Sequence, residues 1–303
     1  MAQQKQVAIT LDDVPFTSWP GDAPLKTIVS ANENILTAIT THSIPTTIFI
    51  NENTLIHDDQ TEERIAVLKQ WLINPLITPG NHTYSHPSYA RTSSSIFKDE
   101  IIKGEVITKK LLEGTGKSLT YFRFPYNALG MDSLTKIEMQ SFLQEKGYIS
   151  TPFTIESSDY MFNALYLLAL DNHDKSQAQR IGQAYIDYTL RLFDHFENIG
   201  MKRYGTSIPQ IFLGHVNALH ADYLGVLIEQ LKKKGYTFTD LRTALQNDVY
   251  KQTDYYAGPY GFSWFFRWEK DPQVRRVLLR QQPEPPKEFT QAYEQALKKA
   301  SGK

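Results

Sequence analysis

Five side chains in this 303-residue chain are of the types that metal-assisted hydrolysis needs: Asp12, Asp13, His82, His86 and His215. One carboxylate and two imidazoles make the three protein ligands of an open zinc-type site, which leaves a position for a water molecule that the cation acidifies. The chain has no cysteine, so any metal must be held by histidine and carboxylate. Neighbouring residues at a strand's end point in different directions, so Asp12 and Asp13 can divide the work, one binding the cation and the other taking the water's proton. His215 can then protonate the leaving group. An amine needs that proton more than an alkoxide does, which favours amide over ester hydrolysis.

Each of these residues has an ordinary structural alternative. An Asp-Asp pair after a strand commonly makes a turn or caps a helix. His82 and His86 can share one side of a helical turn, although Gly80 and Pro87 beside them suggest a loop. His215, ending an apolar strand, can be a hydrogen-bonded core histidine.

What joins them is where they fall among the elements. Apolar and β-branched runs predict strands at 7–11, 46–50, 76–78, 119–124, 148–155, 210–213 and 236–239. Helical spacing predicts helices at 25–42, 61–73, 94–112, 133–146, 162–170, 177–199 and 222–234. About seven βα units in strict alternation require a parallel sheet with helices outside it, either open or closed as a barrel. Both place sites at the strands' carboxyl ends. Asp12-Asp13 follow the first strand, His82 and His86 the third, and His215 the sixth.

Beyond residue 248 the alternation stops. Gly258-Pro259-Tyr260-Gly261, a cluster of Trp264, Phe265, Phe266 and Trp268, a Pro-rich stretch at 283–286 and a charged helix at 287–299 follow. We therefore expect a catalytic domain over 1–248 and a C-terminal extension over 249–303 packed on it, with the aromatic cluster serving packing rather than sugar stacking. The segment 217–222, which includes His220, either lines the site or caps the next helix through Asp222, with capping the favoured role, and His42, His57, His173 and His195 are expected at the surface.

Thirty-two basic residues balance 33 acidic ones, a net charge of -1 that gives no reason to expect nucleic acid as a partner and suits a neutral polymer. Seventeen Tyr and 4 Trp offer flat faces for sugar rings, although most must be core. No apolar run of about 18 residues exists, so no membrane span is expected. The polar start at 1–6 lacks a signal peptide and suits the mature form of an exported protein, whether periplasmic, cell-envelope or secreted. Nothing in the pattern indicates an oligomeric state.

Thr10-Leu11-Asp12-Asp13, His82-Thr83-Tyr84-Ser85-His86, Arg123-Phe124-Pro125-Tyr126 and Leu213-Gly214-His215 occur in the order of the motifs of the polysaccharide deacetylase family, the NodB homology or carbohydrate esterase 4 fold, which this chain resembles over roughly residues 5–247. The resemblance implies a distorted (β/α)7 barrel, an α/β fold. It implies that Asp13, His82 and His86 hold a divalent metal, usually zinc, with Co2+ or another transition metal able to substitute. Asp12 would be the base, oriented by Arg123, and His215 the acid, held by Asp159 of Ser157-Ser158-Asp159-Tyr160. Tyr160 stands where the family has a groove-lining Trp, Leu213 would contact substrate, and the Tyr126 backbone N–H would face the oxyanion. The implied activity is N-deacetylation of an amino-sugar polysaccharide such as a chitin-like polymer, peptidoglycan or exopolysaccharide. The alternatives are an O-acetyl esterase acting on xylan-like glycans, a small-molecule amidase, and a catalytically inactive glycan-binding module.

Overall fold

The computed structural model describes residues 4–17 and 21–300. The apolar run 7–11 lies at its centre, because a strand buried on both faces is apolar throughout rather than alternating. This strand, β1 (Lys5–Val14), is followed in chain order by α1 (Leu25–His42), β2 (Thr46–Ile50), α2 (Thr61–Ile73), β3 (Ile77–Asn81), α3 (Ser94–Lys103), α4 (Val106–Leu112) and β4 (Tyr121–Phe122). Next come α5 (Ser133–Glu145), β5 (Ile149–Ser150), β6 (Ile155–Glu156), α6 (Asp159–Asp171), α7 (Lys175–Tyr204), β7 (Gln210–His215), α8 (Ala218–Lys233) and β8 (Tyr236–Phe238). Four helices close the chain: α9 (Leu241–Leu245), α10 (Trp264–Arg267), α11 (Pro272–Gln281) and α12 (Lys287–Ala300).

All strand pairings are parallel, and seven strands lie in the order β5-β4-β3-β2-β1-β7-β6, with β8 pairing the start of β1. The curled sheet with helices outside it is the distorted (β/α)7 barrel expected. The single strand predicted at 148–155 is instead two, on opposite edges of the sheet. Pro152 has no N–H to give a ladder, and on either side of it the chain bonds to different neighbours: Thr151 N–H donates to Phe122 O and Thr154 N–H to Ile211 O. The crossing segment 151–154 thereby bridges the gap between the two edges.

Several helices also differ from expectation. The predicted helix 94–112 breaks into α3 and α4 at Gly104-Glu105. The helix α7 is longer than 177–199, since the Asp174 carboxylate caps its start and Gly205, at φ 73°, ends it. The helix α11 was not anticipated. In the C-terminal segment Trp264, Phe265, Phe266 and Trp268 are all buried, with Phe265 stacked on Phe196 of α7 and Trp264 edge-on to Phe153. Phe289 of α12 packs against Phe162 of α6. Among the described residues no helix is long and apolar enough to cross a membrane.

Candidate active site

The strand β1 does not stop at Leu11. It runs through Asp12 and Asp13 to Val14, with a register shift against β2 between Leu11 and Val14 and Asp13 at φ 62°. In regular pleat the two carboxylates would face opposite sides. The left-handed residue turns both toward one imidazole instead, so that His82 Nε2 lies 3.7 Å from Asp12 Oδ2 and 3.6 Å from Asp13 Oδ1. His86 Nε2 is 3.5 Å from the same Asp13 oxygen. Ligand atoms of Asp13, His82 and His86 all lie within 4.8 Å of one another.

The histidine pair sits in a loop, not on a helical turn. Thr83 and His86 have φ of 69° and 60°, the Asn81 carboxamide accepts from Thr83 N–H, and Tyr84 N–H donates to Glu100 O at the end of α3. Asn51 Nδ2 donates to His82 O. His82 is buried, and its Nδ1 donates to Arg123 O at 2.7 Å, which leaves Nε2 as the bare nitrogen. Burial, then the neighbouring His86, pushes the His82 pKa down to about 3. A neutral imidazole therefore turns its lone pair toward a carboxylate oxygen, and Asp13 Oδ1 is buried without a hydrogen-bond partner. Bare acceptors facing one another suit a divalent cation, and this nitrogen and oxygen donor set suits zinc or a similar transition metal.

Beside this trio Arg123 is fully buried, with Nη1 donating to both Asp12 Oδ1 and Thr10 Oγ1 at 2.7 Å and its guanidinium 4.3 Å from the Phe49 ring centre. Asp12, 2% exposed, is thereby fixed on one oxygen and presents the other to the trio. His215 pairs with Asp12 in the ladder of β1 and β7. Its Nδ1 meets Asp159 Oδ1 at 2.7 Å, while Asp159 Oδ2 accepts from His215 N–H and Asn217 Nδ2. Burial alone would lower the His215 pKa, but Asp159, aided by Asp13 and Asp12, outweighs it and lifts the value to about 10. Asp159 responds in kind: burial raises its pKa, and His215 and His220 more than reverse this, to about 2.

Tyr126 is exposed, its ring 4.7 Å from that of His86, and its backbone is left-handed at φ 56° with Asn127 following at 50°. Each such residue costs about 1–3 kcal/mol and persists only where its surroundings hold it. Asp13, Thr83, His86, Tyr126, Asn127 and Ser158 are six such residues clustered on these loops. Tyr160 is half exposed beside Tyr293 of α12, whereas Leu213 is 1% exposed within β7.

Several neighbours were not individually assigned from the sequence. His220 is fully buried, with Nδ1 on His215 O at 2.6 Å and Nε2 on the Tyr185 hydroxyl at 2.6 Å. Burial, then Asp159, raises the Glu156 pKa to about 7. Nothing local in the sequence marks Glu156, and His220 stands out only as one member of the segment 217–222; both owe their place to helices and strands meeting across the barrel. The cap of α8 is Asn217, which accepts from His220 N–H, and not Asp222, which accepts from the Tyr166 hydroxyl. His195 is half-buried rather than on the surface. A cavity of about 170 Å³ lined by Asp13, Asn51, Tyr84 and His86 adjoins one of about 390 Å³ lined by Asp22, His57 and Arg64, the two sharing Phe16, Thr17, Asn53 and Thr54.

The family model described as polysaccharide deacetylase matches residues 1–141. A peptidoglycan-N-acetylglucosamine deacetylase from Bacillus cereus is 27% identical over 139 residues, 46% of this chain and 42% of the relative, so the match spans less than half the length of that protein. Among solved structures, a polysaccharide deacetylase from Bacillus cereus superposes with a TM-score of 0.51 at 17% identity, covering 78% of this chain and 92% of the other. A carbohydrate esterase family 4 pseudoenzyme from Bacillus anthracis gives 0.51 at 15% identity over 81% of this chain and 66% of the other. At such identities the superpositions speak for the fold. The stretch matched by that family model, residues 1–141, carries Asp12, Asp13, His82, His86 and Arg123, so this part of the chain is similar to the polysaccharide deacetylases.

Proposed function

We propose that the chain is a metal-dependent hydrolase that removes N-acetyl groups from an amino-sugar polysaccharide or oligosaccharide outside the cytoplasm, in the cell envelope or in secreted form. Residues 1–248 are its catalytic unit and 249–303 its packed extension. The observation that carries this reading is the unpartnered Asp13 oxygen facing the Nε2 atoms of His82 and His86, with a second, arginine-held carboxylate alongside. Asp13, His82 and His86 would hold a divalent cation, zinc or cobalt, which when bound polarises the acetyl carbonyl and acidifies water.

The chain's own groups do the rest. Asp12, held on Oδ1 by Arg123, has Oδ2 free to accept a proton from the attacking water. The Tyr126 N–H supports the negative charge that develops on the acetyl oxygen. His215, kept protonated by Asp159, gives its proton to the departing amine. The exposed rings of Tyr126 and Tyr160 offer faces to the sugar. The similarity to a protein named for peptidoglycan N-acetylglucosamine makes glycan strands of that kind the first substrate to try.

The test is acetate release from peptidoglycan strands, chitin oligomers, an exopolysaccharide and acetylated xylan. Chelation should abolish release and added zinc or cobalt restore it. Asp12→Ala should remove activity and keep the metal, whereas His82→Ala should lose both. Parent-like activity in Asp12→Ala, or indifference to chelation, overturns the reading, and release from xylan alone would make the enzyme an O-acetyl esterase.

A further inference from the structure

We infer that Gly261, in the C-terminal extension, is a positioning residue for the Tyr126 turn, so that the segment 258–262 completes the oxyanion side of the site. The role of the Tyr126 N–H rests on the function proposed above, but the clamp itself does not.

A Cβ placed on Gly261 would lie 1.9 Å from Tyr126 O and 2.6 Å from Asn127 Cβ. The two backbones are thus flush, and no residue other than glycine fits between them without moving one. Tyr126 and Asn127 are the two consecutive left-handed residues at φ 56° and 50°. A bulky side chain disfavours that conformation, so the turn needs external support to stay in it. Its own hydrogen bonds are few: Asn127 N–H to Phe124 O, and a longer one from Ala128 N–H to Pro125 O at 3.3 Å. The extension adds Gly258 N–H to Gly130 O at 3.0 Å, at the far end of the same loop.

That clamp is itself anchored. The Tyr256 hydroxyl accepts from Tyr260 N–H, and the Tyr256 ring packs on Phe262 at 4.5 Å. Asp254 receives Arg267 at 2.7 Å and Lys136 of α5 at 2.9 Å, and Lys136 Nζ also donates to Asp254 O and Tyr256 O. Ser263 Oγ donates to Thr154 O and Trp264 N–H to Phe153 O. The extension therefore grips α5, the Tyr126 loop and the 151–154 crossing together, while the Tyr126 side chain is left exposed. A shift of about 1 Å in an oxyanion donor is enough to cost a large factor in rate without changing ground-state binding.

The test compares the parent with Gly261→Ala, which crowds the Tyr126 carbonyl, and with Tyr256→Phe, which loosens the clamp without crowding. Backbone amide exchange at 126–130 should quicken about tenfold or more in Gly261→Ala and less in Tyr256→Phe, with 82–86 and bound zinc unchanged. On an active parent kcat should fall about tenfold or more with KM within about twofold. Parent-like exchange at 126–130 in both variants overturns the inference, as does an unchanged kcat in an active Gly261→Ala. A parent that releases no acetate from any substrate would instead sink the proposed function, and amide exchange would still decide the clamp.

Discussion

Asp159 accepts three hydrogen bonds, two from His215 and one from Asn217, and His220 Nδ1 approaches it at 3.3 Å. This arrangement makes Asp159 the main support of a protonated His215, with Asp13 and Asp12 adding to it. The folded His215 pKa of about 10 exceeds its ordinary 6.5, so its contribution to stability is present below 6.5 and fades as pH rises toward 10. Asp159 is depressed to about 2, so its share is present above 3.8 and lost as pH falls toward 2. A cation on the trio adds positive charge nearby and brings His215 down from the value without it. In Asp159→Asn, burial acts unopposed by that carboxylate, and the alkaline limb of kcat/KM should move below about pH 7. Activity at pH 8 should fall about tenfold or more, and the loss should shrink toward pH 5. A pH–rate profile identical in limb position to the parent's would refute this.

At the scale of elements, the break between α3 and α4 seats the loop that carries His82 and His86. A Cβ on Gly104 would lie 2.4 Å from the Thr83 carbonyl carbon and 2.7 Å from Tyr84 N, so the loop carrying His82 and His86 rests directly on the helix junction. Glu100 of α3 holds that loop through Ser85, and the buried Glu52 carboxylate accepts from Ile107 and Thr108 N–H to start α4 anew. The apolar periodicity at 94–112 continues across the junction, which is why it predicts one helix; the interruption comes from residues remote in sequence. Gly104→Ala should destabilise the protein by about 1–3 kcal/mol and weaken zinc affinity, measured by denaturant unfolding and by competition with a chelating dye. Unaltered zinc affinity would show that the loop does not depend on this seat.

Over the whole molecule, the extension is part of the core rather than an appendage. Trp264, Phe265, Phe266, Trp268 and Phe289 belong to the same continuous cluster of buried side chains as the barrel strands. Phe265 is 0% exposed, stacked on Phe196 and edge-on to Trp268 at 5.5 Å. Phe265→Ala should therefore cost about 3–5 kcal/mol of global stability in urea unfolding. If barrel and extension are one cooperative unit, the transition stays single and moves as a whole. A separate early transition for the extension, with the barrel's midpoint unmoved, would contradict this.

Much of this site was legible in the residues alone. The alternation of apolar strands with amphipathic helices determined a parallel sheet, since strands buried on both faces and helices buried on one leave different periodicities. Reactive residues directly after such strands had to gather at one mouth, which is why Asp12, His82 and His215 could be placed together before any coordinates. Tertiary structure decided what periodicity cannot encode. It turned Asp13 out of the pleat so that both carboxylates address one imidazole, and it split residues 148–155 between opposite edges of the sheet. It also surrounded Asp159 with His215, Asn217 and His220 and laid Gly261 against Tyr126. Each of these depends on contacts between segments far apart in the chain, and the energy that selects them exists only once the barrel has formed.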